Sequence, residues 1–326
     1  MRNLFALVLS LPFFSAHSQS PPPGCPSIDL GPDTTINCNI SCLDLNASTL
    51  NVGLTNTYSI SSVSYAPPYP FNQGTSTIVG TDDVWGNVIS LPFNFCFFGN
   101  TYNQIVVGAN GLISFDVTLA NSNCAWEFSS SIPSPSNLTN TPFGGTPTQN
   151  GIYNNSINGA YHDIDPSVFL TGAAKDINYA VLGTPPCRTF VVNYYEIPHF
   201  WCNNLITTQQ IVLYETTNAV EVYINDKPTC NTWNSGNAVI GLQNANGTQG
   251  IAAPGRNTGP WSPTNEAWRF VPDGPQNYSI EWFDGTTSIG TGNPINVCPL
   301  IPTNYTAEVT YTNCDGSTVV ETDTVL

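Results

Sequence analysis

The nonapeptide Gly159–Ser167, GAYHDIDPS, holds His162, Asp163 and Asp165, and Asp82-Asp83 forms a second tight acidic group. Only 9% of the chain is charged, so such clusters invite a chemical reading. Asp82, Asp83, Asp163 and Asp165 could together hold Ca²⁺, which takes several oxygen ligands. The spacing of an EF-hand is absent. Glycoside hydrolysis would need two acids facing each other across a sugar. Its candidates are Asp163, Asp165, Glu196, Glu215 and Glu221, of which Glu221 alternates outward on its strand and reads as solvated. General-base chemistry would fall to His162 or His199. Neither lies in a Gly-x-Ser-x-Gly or His-Glu-x-x-His context. His199, between Ile197-Pro198 and Phe200-Trp201, reads as a packed loop histidine. The plainest account is structural: Asp163 and Asp165 accept backbone N–H bonds and pin a turn before Pro166. Turn anchoring therefore leads, Ca²⁺ at Asp82, Asp83, Asp163 and Asp165 is the alternative, and no residue is assigned as catalytic. No cofactor beyond Ca²⁺ is expected, and the chain reads as a non-enzyme.

The elements that must carry these residues follow from composition. The 326 residues include 22 Asp plus Glu against 6 Lys plus Arg, a formal net charge of -16. Nucleic acid and anionic membranes are excluded as expected partners, because both are bound through Lys and Arg. Aromatics at 11% supply enough apolar surface for packed cores. Abundant Gly and Pro, frequent Val, Ile and Tyr, and little helical periodicity point to an all-β protein.

Residues 1–18 read as a secretory signal: Arg2, an apolar run from Leu4 to Phe14, and a small-x-small site at Ala16-His17-Ser18. No later segment is apolar and long enough to span a bilayer as a helix. Ten cysteines in an exported chain argue for disulfides. Cys202 and Cys230 lie at comparable distances from one hairpin turn and are expected to pair. Cys96 and Cys124 flank another hairpin and form a second candidate pair. Cys38 or Cys42 with Cys314 would join the two ends of the chain.

Strand alternation covers most of the sequence. Ser90–Gly99 is a strand, and Gln104–Phe115 is a hairpin turned by Asn110-Gly111. Thr189–Glu196 is a strand, Thr208–Glu215 and Ala219–Asn225 make a hairpin, and Ala238–Gln243 and Ala267–Phe270 follow. Tyr278–Trp282, Asn304–Thr312 and Ser317–Leu326 read as a small sandwich at the C-terminal end. The aromatic stretch Tyr65–Phe71 and Trp261 read as packing residues, with a ligand-binding face as the alternative. Seven Asn-x-Ser/Thr sequons occur, a number expected from a chain so rich in these residues.

Several motifs carry a resemblance. Leu30–Cys38, the Trp282-x-Asp284-Gly285-Thr286 element and the closing Asp323-Thr324-Val325 resemble the immunoglobulin-like repeats of Bacteroidetes surface proteins. Phe93–Tyr102, Gly108–Phe115 and Tyr161–Asp165 resemble nidogen-like (NIDO) extracellular domains. Tyr214–Asn234, with Ala253–Asn257 and Asn265–Phe270, is similar to the central domain of secreted Bacteroidetes proteins that end in gliding-motility-associated sorting domains. The resemblance implies a nidogen-like β-sandwich inserted into, or flanked by, an Ig-like β-sandwich. The expected division is 1–18 signal, 19–54 first Ig-like part, 55–273 nidogen-like domain and 274–326 second Ig-like part. No sorting domain follows, so a fragment or truncated product is expected. The implied function is a secreted or cell-surface adhesion or attachment protein, with a role in gliding motility and export by type IX secretion. Its partner would be an extracellular protein or glycan surface. The alternative is a carbohydrate-active enzyme or glycan-binding module using loop carboxylates, with Asp163 and Asp165 its best acids, and aromatics.

Overall fold

The computed structural model describes residues 24–36, 42–78, 80–127, 129–134, 151–169 and 174–326. The expected signal at 1–18, and Cys38, lie outside the described residues. Alternating Val, Ile, Phe and Tyr give strands whose apolar faces meet in one core. Among the described residues, seven strands form one antiparallel sheet in the order Tyr58–Ser62, Thr264–Pro272, Val220–Asp226, Ile206–Tyr214, Thr189–Pro198, Asp176–Leu182 and Thr75–Ile78. Six strands form the other: Gly250–Pro260, Asn237–Gln243, Ser156–Tyr161, Leu112–Ser114, Asn100–Gly108 and Ile89–Phe97. Phe95, Phe97, Ile105, Val107 and Ile113 of the second sheet share a core with Phe190, Val192, Ile211, Leu213, Val222 and Phe270 of the first. The all-β class expected from composition, and the sandwich that the resemblance implies, are what the chain forms.

The expected hairpin of Ile206–Tyr214 with Val220–Asp226 is in place, with Ile211 opposite Val222. Asn218 turns it at φ +51°, a conformation Asn tolerates better than most residues. Its Oδ1 also accepts the Cys96 N–H at 2.7 Å, so the turn of one sheet is tied to a strand of the other.

The outer face of the seven-stranded sheet carries buried amides in adjacent strands. Gln210 Nε2 donates to Asn193 Oδ1 and Asn193 Nδ2 donates to Asn178 Oδ1. The loop before the Thr75–Ile78 strand covers them: carbonyls of Tyr69 and Phe71 accept the outer N–H groups of Gln210 and Asn178. Tyr65 and Tyr69 pack on the same face with Val191, Val212 and Tyr223. Trp261 is buried and donates its indole N–H to Ala238 O. These aromatics therefore pack.

A separate core joins the two ends of the described chain. Tyr278–Asp284, Thr287–Thr291, Tyr305–Thr312 and Thr318–Val325 form a four-stranded sheet. Leu45, Ala47 and Val52 pack with its Trp282, Ala307, Val309 and Tyr311. Leu43–Leu45 pairs with Ile295–Val297, and Tyr311 donates its hydroxyl to the carbonyls of Ser27 and Leu50.

Four disulfides form among the described residues: Cys25–Cys187, Cys42–Cys298, Cys96–Cys314 and Cys202–Cys230. The Cys202–Cys230 expectation is met. The Cys96–Cys124 pairing is corrected: Cys96 reaches Cys314 instead, and Cys124 is a free thiol buried in a separate cluster with Trp85 and Val106. Pairing of Cys42 with Cys314 is corrected too, because strand pairing between Leu43–Leu45 and Ile295–Val297 places Cys42 against Cys298.

Candidate metal centre and the aromatic surface beside it

Asn110 organises the acidic cluster. It sits in the turn between Asn100–Gly108 and Leu112–Ser114, fully buried. Both turn residues tolerate positive φ, but only Gly111 takes it, at +88°, and Asn110 serves through its side chain. Its Nδ2 donates to Asp83 Oδ1 at 2.9 Å and Cys124 O at 3.1 Å, while its Oδ1 accepts from Ile164 N at 3.1 Å. One amide thus joins the Asp82-Asp83 loop, the Cys124 segment and the chain leaving the Ser156–Tyr161 strand.

Each neighbouring carboxylate is held by an N–H donor. Asp82 Oδ1 accepts from Asp83 N at 3.0 Å, and Asp83 Oδ1 from Asn110. Asp83 adopts φ +49°. Asp163 Oδ2 accepts the indole N–H of Trp233 at 2.6 Å, while its Oδ1 is buried with no hydrogen-bond partner among the described residues. A carboxylate oxygen from each of Asp82, Asp83 and Asp163 lies within 4.8 Å of the others. Asp165, expected with them, is outside that group. Its Oδ1 accepts from Ser167 N and Ser167 Oγ, closing the turn that sequence reasoning gave it.

Burial dominates the electrostatics. It pushes the Asp82 carboxyl up to about 7, with repulsion from Asp83 and Asp165 adding to it. Asp163 is pushed to about 8 by burial and then by Asp83, against the Trp233 hydrogen bond. Asp83 rises to about 6, again through burial, with the Asn110 bond opposing and Asp165 adding. Among the described residues the ion pairs are Arg188–Glu215, Arg256–Glu266 and Arg269–Glu221, so no cationic side chain pairs with the cluster.

His162 and His199 turn the other way. Their rings meet edge to face at 4.6 Å, and the Nε2 atoms lie 3.1 and 2.8 Å from Thr207 Oγ1. Burial lowers both rings' proton affinity, that of His199 to about 3. Lys227 is buried nearby, donating to Trp261 O at 2.9 Å with its ammonium 4.4 Å from the Trp261 ring centroid. Burial, and then Arg256, pull it down to about 7.

Two of the remaining candidate acids, Glu215 and Glu221, are committed to partners of their own. Glu215 is clamped by Arg188. Glu221 does face away from the main core, but the solvated reading is corrected. It is fully buried beneath Tyr214, Tyr223 and Arg269, all of which hydrogen-bond to it. Glu196 takes φ +51°, and its N–H donates to Thr208 Oγ1.

Sequence reasoning missed the aromatic surface beside the acids. Trp233 packs against Trp126 at 5.6 Å, Phe200 at 4.9 Å and Trp201 at 5.7 Å between ring centroids. Trp201 is 68% exposed and lies nearly parallel to Trp233, 21° between planes. The Cys202–Cys230 disulfide holds the two loops together. The signal was present in sequence, since Trp201 adjoins one of these cysteines and Trp233 follows the other by three residues.

No curated protein and no solved structure matches the chain. The family model described as NIDO related matches residues 56–280, which takes in the whole two-sheet sandwich, the acidic cluster and the aromatic surface. That match covers more than half of the sequence, and the chain belongs to the NIDO-related family.

Proposed function

We propose that this chain is a non-enzymatic extracellular recognition module that attaches to a protein or glycan surface through the Trp201–Trp233 stack. The observation carrying this reading is the exposure of Trp201. A large ring left 68% in solvent, yet held flat on a second Trp, is organised for a ligand and adds little to the fold. Flat aromatic rings with a polar edge are common anchors at binding surfaces. Family membership and the disulfides support an extracellular setting, because cystines persist in oxidising compartments. Among the described residues, no helix is long and apolar enough to cross a membrane. The narrower role, attachment during gliding motility after type IX secretion, rests on the resemblance of Tyr214–Asn234.

The test is retention on a glycan array and on immobilised extracellular-matrix proteins, using the parent chain and Trp201→Ala. Retention of the parent and at least about tenfold weaker retention of the variant are expected, matching the loss of one hot-spot ring. Absence of any retention, or equal retention of both, removes the reading.

A glycan-binding form of this proposal is favoured by the Trp233 bond to Asp163, which puts a polar group next to the stacking rings. Turnover on a polysaccharide panel, lost in Asp163→Asn, would replace binding by hydrolysis.

A further inference from the structure

We infer that Asp82, Asp83 and Asp163 form a calcium site that braces the aromatic surface. Their oxygens lie within 4.8 Å of one another, the span of oxygens on one Ca²⁺ at about 2.3–2.6 Å each. Three carboxylates meeting at that distance repel one another unless a cation or protons lie among them. The second observation is independent of the acids' clustering. Asp163 is 7% exposed, and its Oδ1 is a buried acceptor that receives no hydrogen bond from the described residues, while Oδ2 receives one. A buried carboxylate oxygen without a donor is costly, and a metal ion is a partner that removes the cost.

The surroundings fit a ligand set. Asp82, Asp83 and Asp163 are each oriented by one N–H donor, from Asp83, Asn110 and Trp233 respectively. Fixing one oxygen and offering the other is how outer-shell donors aim metal-binding carboxylates. The donors in the group are all oxygens, which selects hard cations over zinc or copper. An irregular site on two separate loops suits Ca²⁺, whose coordination is flexible, better than Mg²⁺, which demands a near-ideal octahedron. Extracellular calcium modules typically bind at about 10⁻⁴–10⁻³ M, a range matched to calcium outside cells.

Binding here would join the Asp82-Asp83 loop to the chain after the Ser156–Tyr161 strand and, through Trp233, to the Trp201 stack. The site does not depend on the recognition reading.

The experiment uses the full mature chain, stripped with a chelator and returned to neutral buffer at physiological salt. Millimolar CaCl₂ is expected to raise Tm by at least about 3 °C, since a ligand of the native state alone stabilises by mass action. MgCl₂ at the same concentration should do much less. TbCl₃ should give tryptophan-sensitised emission that CaCl₂ displaces, because Trp233 touches Asp163. Asp163→Asn and, separately, Asp82→Asn should each lose the Tm response by at least tenfold in apparent affinity. Asp165→Asn should keep it, since Asp165 lies outside the group. No response of the parent, an equal response to MgCl₂, or an unchanged response in Asp82→Asn overturns the site. A parent chain that shows no calcium response yet keeps its surface retention would overturn the site while leaving the recognition reading standing.

Discussion

The indole N–H of Trp233 meets Asp163 Oδ2 at 2.6 Å, while the same ring stacks on Trp201. One side chain therefore belongs to a buried acidic cluster and to an exposed aromatic surface at once. Trp233→Phe separates the two roles, keeping a ring for stacking and removing the donor. Asp163 would then lack the hydrogen bond that its carboxylate accepts from Trp233. A loss of about 1–3 kcal/mol is expected, the usual cost of stranding a buried polar group, seen as a lower Tm than Trp201→Ala gives. Equal Tm values for the two variants would show that the bond contributes nothing to the fold.

Lys227 makes stability depend on pH in a defined window. Its pKa falls from 10.5 in the unfolded chain to about 7 in the folded one through burial. Between those values the unfolded chain holds the proton and the folded protein does not, so raising pH favours folding. Below about 7 both states are protonated, and the burial cost is fully present. The parent should therefore gain stability relative to Lys227→Met as pH rises from 7 to 9, by up to about 1.4 kcal/mol per pH unit, read as a widening Tm difference. A Tm difference that stays flat across that range would contradict this account of Lys227.

Cysteine chemistry offers a direct check on connectivity. Non-reducing peptide mapping should recover Cys25–Cys187, Cys42–Cys298, Cys96–Cys314 and Cys202–Cys230. Cys124 should resist alkylation in the native protein and react only once it is unfolded. It is fully buried, and desolvation pushes its thiol well above the ordinary range. A peptide linking Cys96 to Cys124 would refute the pairing.

What could be read from sequence divides along a physical line. Alternation and turn chemistry are local, so the hairpin around Asn218 and the Cys202–Cys230 pair at its open end were legible. Cys96 and Cys314 are 218 residues apart, and nothing near either residue encodes the other. Glu221 shows the same limit in one residue. Alternation gave its face correctly, but the covering by Tyr214, Tyr223 and Arg269 arises only when strands assemble. Asp82, Asp83 and Asp163 could be proposed together because acids are scarce here. The turn at Asp165 was legible because its partner, Ser167, is only two residues away; that the turn would take Asp165 out of the acidic group was not. Asn110 was read for its backbone, whereas its side chain holds the site together.

The core shared by Leu45, Val52, Trp282 and Tyr311 sets an order of events during synthesis. The segment that emerges early has its packing partners more than 200 residues downstream, across the whole two-sheet sandwich. It must stay unburied until those partners arrive, and the sandwich can form in the meantime because its strands lie between them. Such distant closure is slow. The contact that unites the two ends is therefore expected to close after the sandwich that lies between them in sequence.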